Sequence, residues 1–241
     1  MSFGPNNILN EQIEGVMKRI LFIIIMVFAT LLNAQTVGGS IMIGSPQGEF
    51  RNNVDRLGYG LQIQGTLWSP GKARPFTIGL SASYMVYGET NERRPWPGFP
   101  EVTLNVSRTN SLANLHLLMQ VSPFNGTVRP YLDGLVGGSY IFTTSEVKSE
   151  NSSEPIAQST NFDDFNWSYG WGGGLLIRVA KELGDVSNLY LDLKARYLYG
   201  TEAQYLTEND IDIVSLTQVK YRPRKSKTDI LTFHIGVIAY F

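Results

Sequence analysis

The sequence predicts an all-β chain, a transmembrane up-and-down antiparallel β-barrel of about eight strands that follows a cleaved signal peptide. Three observations carry this. Apolar and polar residues alternate along eight segments, the connections between segments are alternately short and long, and aromatic residues crowd the segment ends. Successive strand side chains face opposite sides, so alternation with period two gives each strand one apolar and one polar face. Short turns at one end, long loops at the other and aromatic girdles between are the pattern of membrane barrels.

Residues 1–16 carry no targeting logic and read as an upstream extension or a misassigned start, because Met17 stands directly before Lys18-Arg19. The apolar run from Ile20 to Leu32 is 13 residues long. A membrane helix needs about 20, which disfavours an uncleaved anchor. With the cations before it and Asn33-Ala34-Gln35 after it, the run has the parts of a signal peptide. Residues 17–34 are therefore expected to be removed, leaving 35–241 as the barrel.

The strands follow in order. The first, Val37 to Gly44, sets Val37, Ile41 and Ile43 on one face, and the second, Leu57 to Ser69, opposes Tyr59, Leu61 and Ile63 to Gln62, Gln64 and Thr66. The third, Pro75 to Gly88, alternates Phe76, Ile78, Leu80 and Tyr84 with Thr77, Gly79, Ser81 and Ser83. In the fourth, Ser111 to Val121, Leu115, Leu117 and Met119 oppose Asn114, His116 and Gln120. The fifth, from Pro130 to about Thr144, opposes Leu132, Val136 and Tyr140 to Asp133, Gly137 and Ser139. The sixth, Phe165 to Lys181, sets Trp167, Tyr169, Trp171 and Leu175 against Asn166, Ser168, glycines and Arg178. The seventh opposes Leu189, Leu191, Leu193, Ala195 and Tyr197 to Asp192, Lys194 and Arg196. In the last, Asp229 to Phe241, Phe233, Ile235 and Val237 face away from Thr232, His234 and Gly236.

Short connections fall at the Ser69-Pro70-Gly71 region, at Ser122 to Pro130 and at Glu182 to Asn188. Longer polar ones fall at Ser45 to Arg56, Glu89 to about Arg108, Ser145 to Asp164 and Thr201 to Lys227. A soluble lipocalin-like barrel would share the up-and-down order but turn its apolar set inward, and parity alone does not say which face is in. The aromatics at strand ends (Trp68, Tyr84, Tyr87, Tyr140, Phe142, Trp167, Tyr169, Trp171, Tyr197, Tyr199, Tyr240 and Phe241) favour the membrane reading as interfacial girdles. Whether the last long loop adds a hairpin to make ten strands stays open.

Composition narrows the function classes. Twenty Lys and Arg against 21 Asp and Glu, a net charge of −1, lack the basic excess of a nucleic-acid binder. The absence of cysteine excludes a disulfide-stapled module.

The segments VGGSIMIGSPQGEF, PYLDGLVGGSYIF, LDLKARYLYG and TFHIGVIAYF together resemble the OmpA/OmpX-type eight-stranded outer-membrane β-barrel superfamily, over about Val37 to Phe241. The resemblance implies a monomeric, porin-like barrel of the bacterial outer membrane, with roles ranging from envelope integrity to adhesion and no shared catalytic residues. It implies outer-membrane lipid, lipopolysaccharide and the barrel-assembly machinery as partners, and no cofactor. The terminal strand is similar to those the assembly machinery reads, which makes Phe233, Ile235, Val237 and Phe241 the candidate assembly signal.

On the parity above, the interior holds Gln62, Gln64, Asn114, His116, Gln120, Asp133, Arg178, Asp192, Lys194, Arg196 and His234. Eight strands enclose a space just wide enough for side chains to fill, so these are expected to pair with one another in a plug. A gated pore along the same charges is the alternative. His116 and His234 are the only histidines, and neither lies near a recognisable nucleophile motif, so no enzyme is expected; a lipid A-modifying barrel enzyme is the competing class. No metal-ligand spacing or phosphate loop is present. The last long loop carries Lys220, Arg222, Arg224, Lys225 and Lys227, a candidate contact for lipopolysaccharide phosphates, diluted by Glu202, Glu208, Asp210 and Asp212.

Overall fold

The computed structural model describes residues 35–96, 99–149, 155–207, 210–215 and 218–241; the expected upstream extension and signal peptide, residues 1–34, lie outside them. Eight strands close a barrel: β1 (Thr36–Pro46), β2 (Gly58–Thr66), β3 (Phe76–Trp96), β4 (Phe99–Val121), β5 (Val128–Ser149), β6 (Pro155–Leu183), β7 (Val186–Gly200) and β12 (Ile230–Tyr240). Neighbours in this series pair antiparallel, and β12 closes on β1 from Thr36 opposite Tyr240 to Pro46 opposite Ile230. Closure pairs the outermost strands with each other and leaves the barrel no open edge.

Between β7 and β12 the chain forms two further antiparallel ladders, β8 (Glu202–Tyr205) with β11 (Arg224–Lys227) and β9 (Ile211–Ser215) with β10 (Gln218–Tyr221). The last long loop is therefore a hairpin outside the barrel wall, which stays at eight strands. In the first long connection a short helix, α1 (Gly48–Asn53), buries Phe50.

Two other connections differ from expectation. The stretches 89–108 and 145–164, expected as polar loops, continue the ladders: β3 and β4 pair on to Trp96 opposite Phe99, and β5 and β6 to Lys148 opposite Pro155. β4 and β5 stay paired as far as Leu104 and Ser149. The strands β3 to β6 have 21, 23, 22 and 29 residues, whereas about 9–11 suffice to cross a bilayer. They form a four-stranded wall standing past the rest of the barrel.

The apolar set faces outward: Ile41, Leu61, Ile78, Leu117, Leu132, Trp167 and Ile235 are exposed, while the alternating polar set is buried. A lipocalin-like barrel has the opposite parity. So wide an exposed apolar surface is suited to lipid rather than water. The aromatics Tyr84, Tyr140, Trp167, Tyr169, Trp171 and Tyr199 lie on this outer face. Tyr87 and Tyr240, read as girdle residues, instead point inward and are buried. Tyr87 packs edge-on to Phe50 at 5.5 Å, and Tyr240 lies 4.9 Å from Tyr190.

Candidate functional site

The interior is built in layers. At the long-loop end Phe50, Met85, Tyr205, Leu206 and Ile230 are fully or almost fully buried and plug the mouth. At the short-turn end Arg129 donates to the Pro70 carbonyl oxygen and stacks over Tyr190 and Tyr240, 5.5 and 5.0 Å from their centroids. Between these layers lies the polar network that strand parity draws from the sequence.

Its centre is two ion pairs joined by an amide. Arg196 on β7 donates to Asp133 Oδ2 from Nη2 at 2.6 Å and from Nε at 3.0 Å. Lys194, two residues away on the same face, donates to Asp192 Oδ2 at 2.9 Å. The Gln64 Oε1 accepts from Lys194 Nζ at 2.9 Å, from Arg196 Nη2 at 3.0 Å and from Gln62 Nε2 at 3.1 Å. Asp133 takes a further bond from Gln120 at 3.2 Å, and Asp192 one from the Tyr131 hydroxyl at 2.6 Å. Two carboxylates face two cations, so the layer is neutral. Buried charges persist when paired and hydrogen-bonded in this way.

The network continues toward the long-loop end. Gln62 donates to Ser81 Oγ at 3.1 Å and accepts from Ser40 Oγ at 2.8 Å. Ser40 lies 3.3 Å from His234 Nδ1, and His234 Nε2 shares a 2.9 Å bond with Thr232 Oγ1. Asn114 stands slightly apart, donating to Ser83 at 3.1 Å and accepting from Ser139. His116 is buried with Nε2 unpartnered among the described residues.

Arg178 does not join the plug. It is half-buried at the short-turn rim and donates to Thr127 at 3.1 Å and Asn188 at 3.4 Å. It keeps inward parity, opposite the buried Tyr190, but it stands too near the end of β6 to reach the central network. Conversely, Tyr131, Ser40, Ser81 and Thr232 belong to the network although they were not singled out from the sequence. Tyr131 has the parity of Asp133, so strand alternation carries its signal.

The space left inside is small. The void bounded by Asn114, His116, Arg196 and His234 measures about 10 Å³, room for about one water-sized sphere. The Ser40–His234 pair is enclosed by this packing, and among the described residues the ring is held by two hydroxyls and by no carboxylate. Among the described residues no three His, Asp or Glu gather as a metal site.

On the terminal strand Phe233, Ile235, Val237 and Phe241 all face outward, between 49% and 53% exposed. In the last loop Arg224 Nε lies 2.9 Å from Asp210 and Lys225 Nζ 2.6 Å from Glu202. The Lys227 backbone N–H donates to Glu49 Oε2 at 3.1 Å, and that of Arg222 to the Asp210 carbonyl at 2.9 Å. Part of the expected cation cluster is therefore neutralised locally; the side chain of Lys220 lies outside the described residues.

No protein-family model and no curated protein matches this chain. Among solved structures it is similar to Neisserial surface protein A, at 12% identity over 86% of this chain and 96% of that one, with a TM-score of 0.38. The attachment invasion locus protein of Yersinia pestis shares 12% identity over 86% of this chain and 97% of that one, with a TM-score of 0.37. The N-terminal β-barrel domain of OprF from Pseudomonas aeruginosa shares 14% over 86% and 98%, with a TM-score of 0.34. By its own geometry, a closed antiparallel wall of eight strands with an apolar outer face and a polar, filled interior, the chain has the fold of a membrane-type eight-stranded β-barrel.

Proposed function

We propose that this protein is an integral barrel of the bacterial outer membrane that acts as a structural or interaction protein at the cell surface rather than as a channel or an enzyme. The observation that carries the reading is the four-stranded wall of β3 to β6, prolonged well past the apolar band above a lumen filled at three levels. Membrane barrels place short turns in the periplasm and long loops outside, which turns this wall, α1 and the β8–β11 hairpin toward the exterior. In this reading lipid and lipopolysaccharide surround a monomeric barrel, and the barrel-assembly machinery inserts it. The cations of the last loop add an electrostatic contact to lipopolysaccharide phosphates.

Two measurements on the full chain test it. In planar bilayers the refolded barrel is expected to show no unitary conductance, and on intact cells protease is expected to cleave within 89–108 or 201–227 while the remainder stays protected. Steady ion-conducting steps would instead establish the narrow channel, and cleavage confined to permeabilised cells would reverse the orientation.

A further inference from the structure

Above the apolar plug, the long-loop end holds a cavity of about 250 Å³ whose wall is almost wholly polar. Asn53, Asp55 and Arg56 come from the end of α1 and the chain after it, Tyr87 and Asn110 from β3 and β4, and Thr207 from the last loop. Asp55 and Arg56 are exposed, so the cavity opens to solvent. We propose that it is a binding site for a single neutral sugar ring, a proposal that rests on the reading of this end as the outward-facing one.

The wall is fixed before any ligand arrives. Asn53 donates to the Tyr205 hydroxyl at 2.9 Å and accepts from Arg224 at 3.2 Å, while Thr207 donates to Asp210 at 2.6 Å. These bonds tie the α1 side of the cavity to the last loop, so the ordering cost is met on folding, which is the advantage of a pre-organised site.

Against this frame stand three polar side chains of the cavity wall. The Tyr87 residue is 2% exposed, yet its hydroxyl has no hydrogen-bond partner among the described residues. A buried polar group left unpaired costs stability, so each such group in a native fold calls for a reason. Asn110 accepts from Thr143 through Oδ1 at 2.8 Å, and its amide nitrogen lies on the side of Gly88, another residue of the cavity wall. Asp55 adds an acceptor at the rim.

These groups define the ligand's chemistry. A phenol that can donate or accept, an amide that donates and a carboxylate that accepts suit adjacent hydroxyls, each of which is itself both donor and acceptor. Asp55 and Arg56 balance in charge, so the wall has no excess of cations for a phosphate, and its few apolar groups do not suit an acyl chain. A cavity of about 250 Å³ is on the scale of one sugar ring rather than of an oligosaccharide.

The test uses the full refolded barrel in detergent micelles, with glucose, galactose and N-acetylglucosamine as probes in saturation-transfer NMR and inorganic phosphate as the anionic comparison. At least one sugar is expected to bind saturably, and Tyr87→Phe is expected to weaken it about tenfold, the worth of one lost hydrogen bond. Because the hydroxyl has no protein partner, Tyr87→Phe should fold as well as the parent, judged by heat-modifiable gel mobility; Asp55→Ala, at an exposed position, gives a second folded variant with weaker binding. No saturable binding by any sugar, binding that Tyr87→Phe leaves unchanged, or binding of phosphate alone would each overturn the proposal. Insertion into liposomes is read separately: a barrel that binds sugar but fails to insert keeps this site and loses the membrane reading.

Discussion

Asp133 on β5 and Arg196 on β7 form their ion pair across an intervening strand, and Gly172 on β6 is what lets them meet. In the ladders Gly172 is opposite Asp133 on one side and Arg196 on the other. A Cβ there would lie 2.6 Å from Arg196 Cγ and 2.4 Å from the Ala195 carbonyl oxygen. Two residues along, Gly174 lies between Tyr131 and Lys194, and its Cβ would meet the Tyr131 hydroxyl at 2.5 Å. The inward face of β6 is thus a furrow that lets groups on β5 and β7 bond directly.

Gly172→Ala is therefore expected to destabilise the barrel by about 1–3 kcal/mol, the usual cost of overpacking. Gly39→Ala is the control, because its nearest neighbour would be Gln62 O at 3.9 Å, and its effect should stay within about 0.5 kcal/mol. Urea unfolding in micelles, followed by tryptophan fluorescence, compares the two. Equal stability of both variants would show that the furrow is not required.

Removing one partner of the ion pair should cost more than removing both. Asp133→Ala leaves the Arg196 guanidinium, 3% exposed, without its carboxylate, and about 3–5 kcal/mol is expected for a broken buried pair. The double variant Asp133→Leu with Arg196→Met fills the space with apolar atoms and should recover most of that loss. A double variant as unstable as the single one would mean that the charges, rather than their pairing, hold the layer together.

Chemical labelling reads the parity of the wall. Cysteines at Leu191 and Leu193 should react with a lipid-soluble maleimide in liposomes, and those at Asp192 and Lys194 should not, because the latter side chains are buried. On the same outer face, Ile235→Arg should lower insertion by about 2–4 kcal/mol if it lies near the bilayer midplane. The opposite labelling pattern is incompatible with a lipid-facing exterior.

The parts of this fold legible in the sequence are those where one face meets lipid and the other a packed lumen, since only there does period-two alternation have a cause. Leu189 to Tyr199 shows it, and its inward residues form the centre of the network. The projecting part of β3 lacks that cause: Thr90, Asn91 and Glu92 continue the strand without an apolar face. Helix α1 has six residues, fewer than two helical turns, and so leaves no period to detect. Tyr87 has inward parity counted from Phe76 and is buried, although an aromatic at a strand end resembles a girdle residue. The cavity above it could not be read from sequence at all, since it joins positions from 53 to 207 that come together only on barrel closure.

The clasp on the last loop has a defined pH dependence. Burial pushes the Asp210 carboxyl up, but bonds from the Arg224 guanidinium and from the Thr207 hydroxyl and backbone N–H outweigh it and hold it below the ordinary carboxylate range. A folded-state value below the unfolded one means a contribution fully present at neutral pH and lost as pH falls below about 4 through the folded-state value. Arg224 is 41% exposed, so solvent screening limits the pair to about 1 kcal/mol or less, enough to loosen a hairpin and too little to unfold a barrel. Hydrogen exchange in 202–207 and 222–227 should therefore accelerate at pH 3 relative to pH 7, after correction for the intrinsic rate, while β7 and β12 stay protected. Asp210→Asn should loosen the same hairpin at pH 7 and reduce the further response to acid. If the variant instead kept the parent's protection at neutral pH, the carboxylate would have no part in closing the loop over the mouth of the barrel.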